Sequence, residues 1–407
     1  MELDVLIFGG GAAGLWLLDQ LSRRGNHVLL LEAGRLGQGQ TVASQGIIHG
    51  GLKYTLHGAL TSAAREIREM PEIWRDCLAG RRTPDLRNTR LRSSVCYLWR
   101  SASLRSRLGM LGARLGLHVG PVELAKSERP AVLAGCPGIV ARLDEQVIDP
   151  ASLLADLASQ NRERILLIDP TPTTFKLLPA GPVDRVVVAR PDTGERIEIQ
   201  PRQIIFTAGG GNAGLRRRCG LPGALMQRRP LHMVLVRGRL PVLNGHCVDG
   251  ARTRVTITSD VDLSGNTIWQ VGGQIAEEGV AMNSGRLIRR TSDELTAVLP
   301  GVDLLDCEWT TYRIDRAEHT MPQNGRPDTA SVLAEGNVIT AWPTKLALIP
   351  QLVRMVEAAL QTSSRVRGEA FHPPGLEEWP RPEVAAPPWE TATRWERIGP
   401  SRARDAA

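Results

Sequence analysis

Apolar residues run without a break from Val5 to Phe8, stop at Gly9-Gly10-Gly11, and return over 27–31 before ending on Glu32. Between the two runs the spacing is helical. Short continuous apolar runs bounded by turn signals predict strands buried on both faces, so the first 32 residues read as strand, helix, strand. Helical spacing returns over 60–78, where Ile67, Met70, Ile73 and Trp74 share a face. Asp149-Pro150 predicts the first turn of another helix. The chain then alternates in strands over 165–168, 173–178, 185–189 and 196–199, with Asp192-Thr193-Gly194 as the turn between the last two. A strand over 203–207 runs into Ala208-Gly209-Gly210-Gly211-Asn212. Extended segments over 232–236, 254–258, 267–271 and 308–313 follow, interrupted by a helix over 286–299. A strand over 337–340 and a helix over 346–360 close the folded part.

This order describes one discontinuous α/β domain, over 1–75, 142–215 and 332–367, whose excursions over 76–141 and 216–331 assemble a second, mainly antiparallel domain. A chain of 407 residues exceeds the roughly 250–300 residues that one core serves, which also predicts two domains. The Pro-rich tail over 368–407 is expected to lack regular structure, while Trp379, Trp389 and Trp395 favour its lying along the body.

The opening turn carries specific chemistry. In Gly9-x-Gly11-x-x-Gly14, the first glycine permits the tight turn, the second lets a pyrophosphate approach the backbone, and the third lets helix and strand pack closely. Ala12 and Ala13 open the helix, whose amides present the positive end of its dipole to phosphate. Glu32 ends the second strand where a carboxylate can accept hydrogen bonds from an adenosine ribose.

Charge changes the picture locally. The net charge is +7, but residues 81–114 hold nine arginines and a single acid, Asp85. Such a segment suits a solvated basic face, acidic lipid or an anionic substrate; with only Tyr97 and Trp99 for stacking, nucleic acid is disfavoured. The six cysteines show no metal or redox spacing, so reduced thiols, a cytoplasmic location and no metal site are expected. The first strand starts almost at Met1, leaving no room for a signal peptide, and no apolar run is long enough to span a bilayer. The expected protein is soluble or at most peripheral to the inner face of the membrane.

Ser44-Gln45-Gly46-Ile47-Ile48-His49-Gly50-Gly51-Leu52-Lys53-Tyr54 resembles the run SSKLIHGGLRY of FAD-dependent glycerol-3-phosphate dehydrogenases and L-2-hydroxyglutarate oxidases, in the D-amino acid oxidase superfamily. Residues 145–158, Thr207-Ala208-Gly209 and Trp342-Pro343-Thr344-Lys345-Leu346 resemble further segments of that superfamily. The resemblance implies the fold class: a Rossmann-like FAD-binding domain, discontinuous, with a mainly antiparallel β-sheet substrate domain. It implies FAD with its adenosine on Glu32 and Ala33 and its pyrophosphate over residues 9–14. The segment from Thr41 through Ser44 to Gln45 would underlie the ribityl chain. The ring would lie near His49, Gly50 and Gly51, with Gly46, Ile48, Thr173, Ala208 and Gly209 as further contacts. Lys345 and Leu346 would face the flavin N1–C2=O edge, where reduced flavin carries negative charge.

The implied reaction takes a hydride from a CH–OH carbon of a small anionic substrate, a hydroxy acid or polyol phosphate, and passes electrons to oxygen, a quinone or a redox protein. Two alternatives stand beside it: oxidation at CH–NH of an amino acid or secondary amine, and a flavoprotein subunit docked on a redox partner or membrane. Lys53 replaces the family's arginine, and the chain lacks the extra C-terminal domain of the longer enzymes, which disfavours glycerol 3-phosphate itself. His49 is read as a base, as an 8α linkage to the flavin, or as a group hydrogen-bonded within the cofactor loop. Arg313 is the expected clamp on the substrate anion, with Tyr312 and Arg316 as lesser candidates and Lys53 and Tyr54 near the anionic tail. His232, Glu145 and Asp149 are read as structural.

Overall fold

The computed structural model describes residues 1–50, 62–100, 122–179, 181–249, 252–322, 325–360, 371, 373 and 375–398. Its strands begin with β1 (Glu2–Phe8), β2 (Val28–Glu32), β3 (Leu91–Ser93), β4 (Cys96–Arg100), β5 (Val122–Glu123), β6 (Val140–Leu143), β7 (Val147–Ile148), β8 (Ile165–Leu167), β9 (Asp169–Leu177) and β10 (Val183–Ala189). They continue with β11 (Arg196–Phe206), β12 (Met226–Gly238), β13 (Gly245–Asp249), β14 (Arg252–Val261), β15 (Thr267–Gly272), β16 (Glu308–His319), β17 (Ser331–Glu335), β18 (Val338–Trp342) and β19 (Glu396–Arg397). The longer helices are α1 (Ala12–Arg23), α2 (Ser62–Leu78), α3 (Pro150–Gln160), α4 (Ser284–Val298) and α5 (Ile349–Ala359).

The first sheet runs β17-β18-β11-β1-β2-β8, with β9 and β10 continuing from β11. The pairs β18–β11, β11–β1, β1–β2 and β2–β8 are parallel. Alternation along β1 explains why its apolar run is continuous. Val5 and Ile7 join the helices α1, α3 and α5 in one core, while Leu6 and Phe8 join the β9–β10–β11 meander in another. Helix α3 starts where the sequence predicts: Asp149 accepts from Ala151 N and Pro150 occupies the first turn.

The second sheet runs β19-β16-β12-β15-β14-β13-β4-β6-β5 and is mixed, since β4 and β13 pair in parallel while the other neighbours pair antiparallel. Its two faces differ in what covers them. Val234, Val236, Val255, Ile257 and Trp269 pack against α4 through Leu287, Ile288 and Leu295. The opposite face, carrying Leu231, Met233, Thr256 and Ile314, borders a cavity against the first sheet's loops.

Two expectations need correction. The basic stretch is only partly a solvated face: Arg81, Arg87 and Arg90 are exposed and pair with Asp76, Asp85 and Asp149, whereas the Arg92 side chain is buried against Asp260 and Asp149. Arg105, Arg107 and Arg114 lie outside the described residues. The tail is not irregular throughout. Leu36 and Val384 form a bridge, Trp379 Nε1 donates to Leu167 O, and β19 pairs with β16. Trp389 is 6% exposed, against Leu235 and Ile268 with Arg92 over its ring. Burying indole rings while satisfying their N–H groups drives this strapping. Among the described residues no helix is long and apolar enough to cross a membrane.

Candidate active site

Parallel pairing of β1 with β11 brings the glycine turn beside Thr207 and Ala208. Gly9 has φ +106°, and a Cβ there would sit 2.5 Å from Ala208 Cα. A Cβ on Gly14 would lie 2.0 Å from Gly9 O, whereas one on Gly11 would meet only Thr41 Oγ1, at 3.4 Å. The turn is thus crowded where it packs and open where a ligand would approach. Glu32 reaches back to it: Oε2 accepts from Gly10 N at 2.6 Å and Oε1 from the Ala33 and Gly34 amides at 2.9 Å each. Burial pushes this carboxyl up, and the three amides oppose the shift.

These groups line a cleft of about 940 Å³ that includes Gly9, Gly11, Glu32, Ala33, Thr173, Ala208 and Gly209. A second cavity, of about 1020 Å³, is lined by Ser44, Gln45, His49, Lys345 and Leu346. Ala12, Ala13 and Thr41 border both, so the two form one continuous channel. A long, amide-rich channel with an anchored carboxylate at one end fits an extended dinucleotide. Gly14, Gly46, Ile48 and Gly50 do not line it. Gly46 packs on Ile148 O with φ +72°, Ile48 is buried in the helix-side core, and Gly50 N donates to Glu145. Gly51, Lys53 and Tyr54 lie outside the described residues.

The cofactor loop is held by the second sheet. Gln45 Nε2 donates to Thr256 O and Gln270 O, while Gln270 Nε2 donates to Ala43 O. The Tyr312 hydroxyl donates to Ala43 O at 3.0 Å, and burial pushes its phenol up. On the far side Thr344 takes φ +63°, a costly backbone for a β-branched residue, as the chain turns into Lys345 and the last helix.

Strand phase separates the two arginines: Tyr312, Ile314 and Arg316 of β16 face the larger cavity, whereas the Arg313 side chain leaves from the other face of the strand and Arg313 borders the cleft at the glycine turn. The Arg313 guanidinium is exposed and donates to Val280 O and Met282 O, beside its cross-strand neighbour His232. Arg316 instead lines the cavity, 3.3 Å from Glu277 and next to Arg229. His232 is structural, with Nδ1 3.0 Å from Gly279 O and Nε2 2.9 Å from Thr311 Oγ1; burial lowers its pKa.

His49 stands at the cavity wall with Nδ1 3.6 Å from Glu145 Oε2, and His246 Nε2 lies 3.9 Å from the same oxygen. Glu145, expected to be structural, therefore meets two imidazoles. The donor set suits a divalent cation in kind, but tetrahedral ligands at zinc distances sit roughly 3.4 Å apart, closer than either of these contacts. No sequence signal marks His246, whose partners come from remote segments. Glu145 was visible only as an acid ahead of the α3 cap.

The DAO family, described as FAD dependent oxidoreductase, matches residues 4–342. The probable FAD-dependent oxidoreductase PA4991 of Pseudomonas aeruginosa is 40% identical over 401 residues, covering 96% of this chain and 98% of the relative. The crystal structure of PA4991 superposes with a TM-score of 0.80 at 36% identity, covering 96% and 98% of the two chains. Glycine oxidase from Geobacillus kaustophilus, at 16% identity, has a TM-score of 0.62 and covers 90% and 97%. L-alpha-glycerophosphate oxidase from Mycoplasma pneumoniae, solved with FAD bound, also scores 0.62 at 16% identity, covering 89% and 95%. These last two likenesses are of fold. With the glycine turn, the anchored Glu32 and the family match together, this chain belongs to the DAO family and is an FAD-dependent oxidoreductase.

Proposed function

We propose that this protein oxidises a CH–OH carbon of a small anionic substrate, a hydroxy acid or polyol phosphate. FAD, when bound, accepts the hydride. Gly9, Gly11, Ala12 and Ala13 carry its pyrophosphate, Glu32 its ribose, and the 41–45 segment its ribityl chain, while Lys345 and Leu346 serve the anionic edge of the ring. The observation that carries the substrate reading is the imidazole of His49 on the cavity wall with a buried carboxylate 3.6 Å behind its Nδ1. An alcohol must surrender its O–H proton as the carbonyl forms, which calls for a positioned base. His49 takes that proton. Arg316, on the same cavity, holds the anionic end in place of Arg313, with Lys53 and Tyr54 as further contacts. Oxygen, a quinone or a redox protein takes the electrons in turn.

A second reading, oxidation at CH–NH, draws support from Glu277, Glu278 and Asp328, which give the same cavity acidic groups suited to a cationic amine. The proteins of similar fold include both a glycine oxidase and a glycerophosphate oxidase. Anaerobic mixing of the holoprotein with L-2-hydroxyglutarate, glycerol 3-phosphate and a panel of amino acids decides between them. Bleaching of the oxidised flavin by a hydroxy compound, slowed at least a hundredfold in His49→Ala, is expected (roughly the range for loss of a general base). Bleaching by amino acids alone overturns the proposal.

A further inference from the structure

Glu145 is 6% exposed, and its Oε1 accepts from Gly50 N at 2.7 Å, which prevents the carboxylate from turning. Its other oxygen faces His49 Nδ1 at 3.6 Å and His246 Nε2 at 3.9 Å. The two rings approach with centroids 5.4 Å apart and planes 34° from parallel. His246 itself is buried, with Nδ1 2.9 Å from Thr256 Oγ1. Four separate segments meet here: the cofactor loop, the connection from β6 to β7, β13 and β14.

We infer that His246 is a positioning residue for His49: with Glu145 it forms a carboxylate-bridged pair of imidazoles that keeps Nδ1 of His49 toward the carboxylate. The inference rests on the base role proposed for His49, though not on which substrate is oxidised. An ionised carboxylate only accepts hydrogen bonds, so an imidazole nitrogen facing it is favoured with its hydrogen on. For His246 that leaves Nδ1 to accept from the Thr256 hydroxyl. For His49, which lines the cavity, it leaves the hydrogen off Nε2, the form a base needs. When the substrate's O–H bond breaks, its proton goes to Nε2 of His49, and the carbon's hydrogen leaves with its electron pair to FAD. The imidazolium so formed faces the Glu145 charge.

Both separations exceed a hydrogen bond, and Oε1 is held by Gly50 N, so two imidazole groups draw on the negative charge of a single oxygen. His246 thereby limits how strongly Glu145 holds a proton on His49. Among the described residues, the buried Cys96 thiol on β4 interacts with Glu145, Arg75 of α2 donates to the neighbouring Asp144 O, and Arg252 lines the same cavity as His49. None of them is altered in the test.

FAD-loaded protein with ¹³C-labelled histidine is titrated by NMR, with the His49 resonance assigned by its loss in His49→Gln. Freed of its competitor in His246→Leu, the His49 midpoint is expected to rise by about one pH unit; in Glu145→Gln it falls by about as much. His246→Gln, which keeps an N–H toward the carboxylate, stays near the wild type. Thr256→Val, which removes the hydroxyl donating to His246 Nδ1 and so weakens the preference for hydrogen on its Nε2, moves the midpoint upward and carries the test if His246→Leu does not fold. Flavin absorbance reports folding in each case. An unmoved His49 midpoint in Glu145→Gln and in either partner variant overturns the inference. Amino-acid bleaching would overturn the alcohol reading and leave this titration untouched.

Discussion

Replacing Glu32 tests the grip on the cofactor most directly, and the structure sets the size of the effect. A carboxylate offers about four acceptor positions. Three are already taken, two on Oε1 by Ala33 and Gly34 and one on Oε2 by Gly10. One position remains for a ribose hydroxyl. A hydrogen bond to a charged acceptor contributes about 1.5–3 kcal/mol, so Glu32→Ala should weaken FAD binding about 10- to 150-fold. Glu32→Gln should be no milder, because its NH2 must face an amide N–H that now donates to the carboxylate. The assay is titration of apoprotein with FAD, followed by quenching of flavin fluorescence, alongside Tm. Both variants binding within twofold of the wild type, with Tm unchanged, would refute the assignment of Glu32 to the ribose.

Other outcomes follow from the same geometry. Arg316→Gln should weaken the half-saturating concentration for an anionic substrate by about tenfold or more, and Arg313→Gln should leave it unchanged; stopped-flow bleaching measures both. Trp389→Ala empties a buried site between the tail and the second sheet and should cost about 3–5 kcal/mol, seen as a lower urea midpoint. His232 is held neutral by burial, with Arg313 adding to the shift and the Gly279 carbonyl opposing it. Its folded pKa lies below the unfolded one. The stability it contributes is therefore present above the ordinary histidine value of about 6.5 and is lost as pH falls through the folded pKa. Thermal melts from pH 8 to 5 should show this loss, and His232→Gln should flatten it.

Residues adjacent in sequence were legible because their partners are local. The run into Gly9, the helix from Ala12 and the acid at Glu32 form one unit of about thirty residues, and each glycine's task follows from backbone geometry at that place. The Asp149-Pro150 cap is equally local. Arg313 shows where local reading stops. A period of two says that Arg313 and Arg316 point to opposite faces, but the phase depends on which face of β16 meets the cofactor loop, and Tyr312 reaching Ala43 O sets that. The tryptophans of the tail signalled burial, while their sites against Leu167 and Leu235 come from strands far back in the chain.

The order of residues alone determined that a dinucleotide turn, an acid for the ribose and a family-like histidine segment are present, since short-range sterics and hydrogen bonding dictate these. Only the folded molecule decided that Arg316 lines the larger cavity while Arg313 borders the adjoining cleft, that Glu145 stands behind His49, and that His246 shares its carboxylate. The reason is physical: a side chain's chemistry is set by neighbours within a few ångströms. Here those neighbours lie as much as 225 residues apart, brought together by the packing of one sheet on the loops of another.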